Sequence, residues 1–256
     1  MDDYCHFESA LAYQSFARDV RREYRYFRST ASEAFLKGVL QTADERVVKL
    51  APNTSCFRAR LGNDMDRQEV KDNDGNLVDV AEWRIPFEEG ALMPFSDRAS
   101  EGRANPKGIP YLYVATDENT AVSEVRPWIG LYVSVAHLKT HRELTCVDCS
   151  DGHWLPPRLN ALTQPPRNQW DECVWRDINA AFREPVKRTD NLADYAPTQV
   201  IAEAIRRAGY CGIVYGSSIS RHGQGKNLVI FDARSLHILD RYVVLVESVD
   251  VSTVRA

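Results

Sequence analysis

The chain predicts an α+β fold built on a twisted, mainly antiparallel sheet. Short apolar runs rich in β-branched and aromatic residues recur from residue 54 onward: CFRARL, PYLYVAT, GLYVSVAHL, LTCVDC, GIVYGS, NLVIFD and RYVVLVESVDV. Helical patterns fall between them without the regular strand–helix alternation of a parallel doubly wound sheet. At 256 residues the chain can bury a full core, as one large domain or as one domain with a helical appendage.

Taken in order, residues 7–50 read as a helix pair. Phe7, Leu11, Phe16, Val20, Tyr24 and Phe27 recur at helical spacing, and Phe35, Leu36, Val39 and Leu40 form a second run after Ser29-Thr30. Ser32 is the expected cap of the second helix, without a capping box because Phe35 sits three residues on. Residues 1–50 are therefore set apart as an N-terminal helical extension, and the main domain is expected over residues 54–256. Residues 62–82 are polar and turn-rich, with an Asp-Gly step at 74–75, and read as a surface insertion or hairpin. The 110–116 run is a strand. A helix follows from Asp117 or Thr116 as cap and ends before Pro127. The proline-rich stretch 151–170 reads as a long loop over the site. Helices are expected over 171–183 and 197–208, the second with proline at its start and Gly209 at its end.

Several functions are disfavoured by what is missing. The net charge of −4 argues against a general nucleic-acid binder. No apolar run approaches the ~20 residues that span a bilayer, and MDDYCHFESALAYQSF carries no secretory core, so a cytoplasmic protein with reduced cysteines is expected. There is no GxGxxG, no GxxxxGK[ST] and no HExxH. The Asp64–Asp74 run lacks the calcium-loop spacing. His137, His141, Cys146 and Cys149 pose a zinc query, but two cysteines three apart on a strand point to opposite faces. No metal is expected.

The residues that carry chemistry lie beside the strands. Arg58 and Arg60 share one face of the 56–61 strand, an arrangement that favours a wet face or an anion. Arg103 sits in a turn-forming loop, GRANPKG, able to close over phosphates. Glu124 is the one acid between Asn119 and Val135, in the small apolar segment TAVSEV, a setting for a carboxylate that stabilises a cation. Ser217 follows the strand GIVYG, where Gly216 permits close backbone approach. His222 lies in the Gly-rich loop after it.

Arg58 in CFRAR, Glu124 in YLYVATDENTAVSEV and Ser217 in GIVYGSS together resemble the RES-domain family, named for its recurring Arg, Glu and Ser. Gly102-Arg103, Tyr111-Leu112-Tyr113, Tyr195 with Thr198-Gln199, and Asn227 in GKNLVIF support the likeness over roughly residues 54–235. The aromatic-then-arginine order favours Arg58 over Arg60 as the family arginine. The resemblance implies an ADP-ribosyltransferase-like fold with NAD+ as substrate and inorganic phosphate as co-substrate, without a cofactor. It implies cleavage of the nicotinamide–ribose bond by phosphorolysis, with protein ADP-ribosylation and NAD hydrolysis as alternatives, and toxin activity neutralised by an Xre-like antitoxin. A non-catalytic ADP-ribose-binding module is the alternative of another class. Glu124, Arg58 and Ser217 would then be catalytic. Arg103, Tyr113, Arg60, Asn227, Tyr111 and His222 would bind substrate, with Tyr113 against the nicotinamide. No membrane or nucleic-acid partner is implied, and a dimer is left open.

Overall fold

The computed structural model describes residues 5–94, 99–150, 165–184, 192–219 and 225–249. Residues 151–164 of the expected 151–170 loop, and His222, lie outside them. The helices are α1 (Ala12–Arg22), α2 (Thr30–Ala43), α3 (Glu89–Leu92), α4 (Glu118–Glu124), α5 (Trp170–Arg183) and α6 (Ala196–Arg207). The strands are β1 (Val47–Leu50), β2 (Ser55–Leu61), β3 (Asp64–Lys71), β4 (Leu77–Ile85), β5 (Leu112–Ala115), β6 (Tyr132–Thr140), β7 (Leu144–Asp148), β8 (Gly212–Gly216), β9 (Lys226–Ile230) and β10 (Leu236–Leu245). The fold is α+β, as expected.

Eight strands form one sheet in the order β1-β7-β8-β9-β5-β2-β6-β10, and β3 and β4 pair as a separate exposed hairpin at the predicted 62–82 insertion. Only β7 and β8 run parallel. The connectivity forces the sheet to curl. β6 and β7 are five places apart in the order, roughly 24 Å on a flat sheet, yet the link from Thr140 to Leu144 reaches at most about 14 Å. The link from β1 to β2 imposes the same closure. All eight strands accordingly send side chains into one concave core, which includes Cys56, Leu112, Leu138, Cys146, Val214 and Leu236.

On the other face α1, α2, α5 and α6 pack over β7, β8, β9 and β5 through Phe16, Phe35, Trp175, Ile178, Ile201 and Tyr215. α4 covers the β2–β6–β10 half, where Val122 and Val125 meet Phe57, Ala59, Val133 and Val135. The sheet is weakest at the join between these halves. β2 pairs with β6 over seven residues but touches β5 at the single pair Phe57↔Ala115.

Two details of the N-terminal reading change. Residues 47–50 form the edge strand β1, pairing with β7. The cap of α2 is Ser29 rather than Ser32: Ser29 is extended, and its hydroxyl accepts the Ser32 N–H at 3.2 Å. The helical pattern also overran α1. Tyr24, Tyr26 and Phe27 lie beyond its last turn and are exposed, because the chain must reverse there to lay α2 against α1.

The other predicted elements keep their places. Asp117 caps α4, accepting the Thr120 N–H at 2.8 Å. Pro197 stands in the first turn of α6, and Gly209 adopts φ +97° just past its end. Cys146 and Cys149 enter opposite cores, and burial raises both thiol pKa values, that of Cys146 to about 12. His137 is stacked on Phe57 and His141 on His237.

Candidate active site

Where β2 parts from β5, a cavity of about 210 Å³ opens between the two strands, α4 and β9. Phe57, Arg58, Tyr113, Glu124, Tyr215 and Asn227 are among its walls. Glu124 reaches it from the last turn of α4. The helix is short because Pro127 cannot continue it, so the carboxylate sits at the helix end, exposed on the cavity rim.

Two neutral donors fix that carboxylate. Ser217 Oγ donates to Glu124 Oε1 at 2.7 Å, and Asn227 Nδ2 donates to the same oxygen at 2.6 Å. Ser217 is only 1 % exposed and is itself anchored: its N–H donates to the Gly225 carbonyl at 2.8 Å, and its hydroxyl accepts the Ile219 N–H at 3.2 Å. Asn227 comes from β9 and Ser217 from the position just after its neighbour β8, with Tyr215 opposite Asn227 in the β8–β9 register. Holding one oxygen leaves the other, Oε2, without a donor among the described residues, available to whatever occupies the cavity.

Arg58 lines the same cavity. Its Nη1 donates to the Tyr113 carbonyl at 3.2 Å, an acceptor that β2 pairing would otherwise have used. Desolvation, and then the neighbouring charge of Arg60, lower the Arg58 pKa. Among the described residues no carboxylate pairs with it. A desolvated guanidinium with only a carbonyl partner is costly unless an anion completes it.

Tyr113 holds the GRAN loop rather than presenting a free hydroxyl. Its Oη donates to Asn105 Oδ1 at 2.6 Å and accepts the Ala104 N–H at 3.0 Å, while burial raises its pKa to about 12. Gly102 is required by this contact: a Cβ there would lie 2.5 Å from Tyr113 Oη and 2.6 Å from Asn105 Oδ1. The loop is held from behind by α6. Gln199 Nε2 donates to the Gly102 and Asn105 carbonyls at 2.9 and 3.1 Å, and Thr198 Oγ1 to the Arg103 carbonyl at 2.6 Å.

Among the described residues, three predicted binding residues are not on the walls of this cavity. Arg103 Nη1 donates to the Phe182 carbonyl at 2.7 Å, at the end of α5. Arg60 is exposed, donates to the Ala91 carbonyl at 2.8 Å and lies over the Phe87 ring. Tyr111 is buried beside Phe231 with Arg206 over its ring. His222 is outside the described residues. Conversely, Tyr215 and Phe57, which the sequence reading did not single out as site residues, line the cavity.

Residues 81–251 match the RES domain. The chain belongs to the RES-domain family. The match contains Arg103, Tyr113, Glu124, Ser217 and Asn227; Arg58 and Arg60 precede it. Within this RES protein, then, the strand before the matched region puts Arg58 on the wall of a cavity that Glu124 also lines. No curated protein matches the chain. Among solved structures, a chain of the M. tuberculosis MbcT–MbcA toxin–antitoxin complex is similar over 82 % of this RES protein and 93 % of its own length, at 14 % identity and a TM-score of 0.43.

Proposed function

We propose that this RES protein consumes NAD+, cleaving the nicotinamide–ribose bond by phosphorolysis to nicotinamide and ADP-ribose 1″-phosphate, and that it acts as a toxin held in check by an antitoxin, which would be of the Xre-like type. The observation that supports the reading is one small cavity lined both by Arg58, which has no carboxylate partner among the described residues, and by Glu124, whose orientation is set by Ser217 and Asn227.

The chemistry suits that cavity. As the C1″–N bond breaks, its electron pair leaves with nicotinamide, which becomes neutral and needs no general acid. Positive charge grows on C1″ and the ring oxygen, as in glycoside cleavage. Glu124 Oε2 stabilises that charge and receives ribose hydroxyls. Arg58 binds a phosphate oxygen, either of the substrate or of the incoming nucleophile. A phosphate oxygen then bonds to C1″. Tyr113 and Tyr215 supply the flat, largely apolar walls a nicotinamide ring packs against. Ser217 acts by orienting the carboxylate, because its hydroxyl is already committed to Glu124.

Purified protein incubated with NAD+, with and without inorganic phosphate, tests this by phosphorus NMR. Phosphate-dependent loss of NAD+ is the expected result. Loss without phosphate makes the enzyme a glycohydrolase, and loss only with an acceptor protein makes it an ADP-ribosyltransferase. Survival of NAD+ in all three conditions ends the enzymatic reading.

A further inference from the structure

A second depression, a groove of about 520 Å³, lies on the far side of the Gly216–Ser218 segment, between α1 and α5. Among the described residues, two polar atoms buried at its walls have no hydrogen-bond partner: Tyr13 Oη and Arg183 Nε. Tyr13 as a whole is only 7 % exposed. A folded protein leaves such groups unsatisfied at the full cost of their desolvation, so two in one groove point to a ligand that supplies acceptors. Arg21 and Ser218 add further donors, and Asp177 and Glu184 place carboxylates on the same wall.

The groove is coupled to the Glu124 cavity through a single residue. Arg183 Nη2 donates to the Ser217 carbonyl at 3.1 Å, while the hydroxyl of Ser217 holds Glu124. Gly216 lets the guanidinium lie flat on the strand end: a Cβ there would come within 3.3–3.4 Å of Arg183 Cδ and Nε. The Glu124 cavity, at about 210 Å³, is smaller than the roughly 300–1,000 Å³ of pockets that enclose a drug-sized ligand. A dinucleotide held there by one ring must extend beyond it.

We infer that the α1–α5 groove is a nucleoside-diphosphate subsite, in which Arg183 and Tyr13 bind phosphate oxygens and the Asp177–Glu184 wall accepts from the ribose hydroxyls. The assignment to the adenylate half of NAD+ rests on the function proposed above. Tyr13 belongs to α1, which lies outside residues 81–251. The N-terminal helices therefore complete the site rather than merely covering the core.

Titration calorimetry of the full chain with ADP is the test, on wild type and Tyr13→Phe. The variant removes one oxygen that bonds to no protein group, so without ADP it melts at the same or a higher temperature. Its ADP affinity falls about tenfold, the loss expected for one hydrogen bond to a charged group, and ADP no longer raises its melting temperature to the wild-type extent. With the active enzyme, kcat/KM for NAD+ falls about tenfold relative to that for nicotinamide mononucleotide, which lacks the adenylate half. Failure of wild type to bind ADP, or equal ADP affinity in the two proteins, overturns the subsite. ADP binding with the expected loss, in a protein that leaves NAD+ intact, preserves the subsite and removes the cleavage reaction. NAD+ cleavage with the same preference over the mononucleotide in both proteins does the reverse.

Discussion

At the scale of single residues, the site sets two opposite charges to work in different surroundings. Glu124 is exposed at the rim and steered by two neutral donors. Arg58 is desolvated and has no counter-charge among the described residues. Glu124→Gln keeps the shape and an acceptor for Asn227 but loses the charge that would meet the oxocarbenium ion. Turnover of NAD+ should fall by about 10²–10³, the scale of losing one electrostatic contact to a transition state, with the melting temperature within a few degrees of wild type. Retention of full turnover would remove Glu124 from the chemistry. Arg58→Met separates binding from folding. Substrate KM rises at least about tenfold, while thermal stability stays equal or increases because a desolvated charge without a carboxylate partner is gone. A variant that binds NAD+ normally but unfolds early would assign Arg58 to structure instead.

Elements position these residues through short, well-anchored connections. The GRAN loop is fixed by Tyr113 from β5 and by Thr198 and Gln199 from the buried face of α6. Gly102→Ala drives a methyl group into Tyr113 Oη and should cost about 1–3 kcal/mol, the range for overpacking a tight site. Denaturant unfolding measures it, and a change under 0.5 kcal/mol would show that the loop yields freely. The α1–α2 turn offers a pH-dependent contact. Ser29 and Ser32 donate hydroxyls to Asp19, and these bonds hold its pKa below the ordinary carboxylate value. A depressed folded pKa stabilises above the unfolded pKa of about 3.9 and is lost as pH falls through the folded value. Asp19→Asn should therefore cost about 0.5 kcal/mol at neutral pH, a small figure because solvent screens the site. The difference from wild type should vanish once the pH falls below that folded value. A difference that persists in acid would point to packing.

Across the whole molecule, the helical extension and the matched domain share one core. Phe16 stacks on Phe35 at 4.3 Å between centroids, and both belong to the cluster of Trp175, Ile178 and Ile201. Trp175 Nε1 donates to Thr42 Oγ1 at 2.9 Å, tying α5 to α2. Phe16→Ala should cost about 3–5 kcal/mol, a large part of a net stability of roughly 5–15 kcal/mol. Deletion of residues 1–43 uncovers the helix faces of α5 and α6 and should yield insoluble protein. A soluble, cooperatively unfolding product would show that the extension is dispensable for folding.

The α+β class, the strand positions, the Asp117 cap, the 62–82 hairpin and the family were all readable along the chain, because they rest on local periodicity, turn chemistry and short motifs. Glu124, Ser217 and Asn227 were readable as candidates for the same reason. Their joint grip on one oxygen was not, since it depends on β8 and β9 pairing next to α4. The parting of β2 from β5, which turns Arg58 from a strand residue into a cavity wall, follows from how the curled sheet closes. So does the separation of Arg103, Arg60 and Tyr111 from that cavity. Patterns along a sequence encode which face a residue takes within its own element. Which faces meet is settled by packing between distant elements, and here that packing also brings Tyr13 of the first helix and Arg183 of the fifth to the walls of one groove.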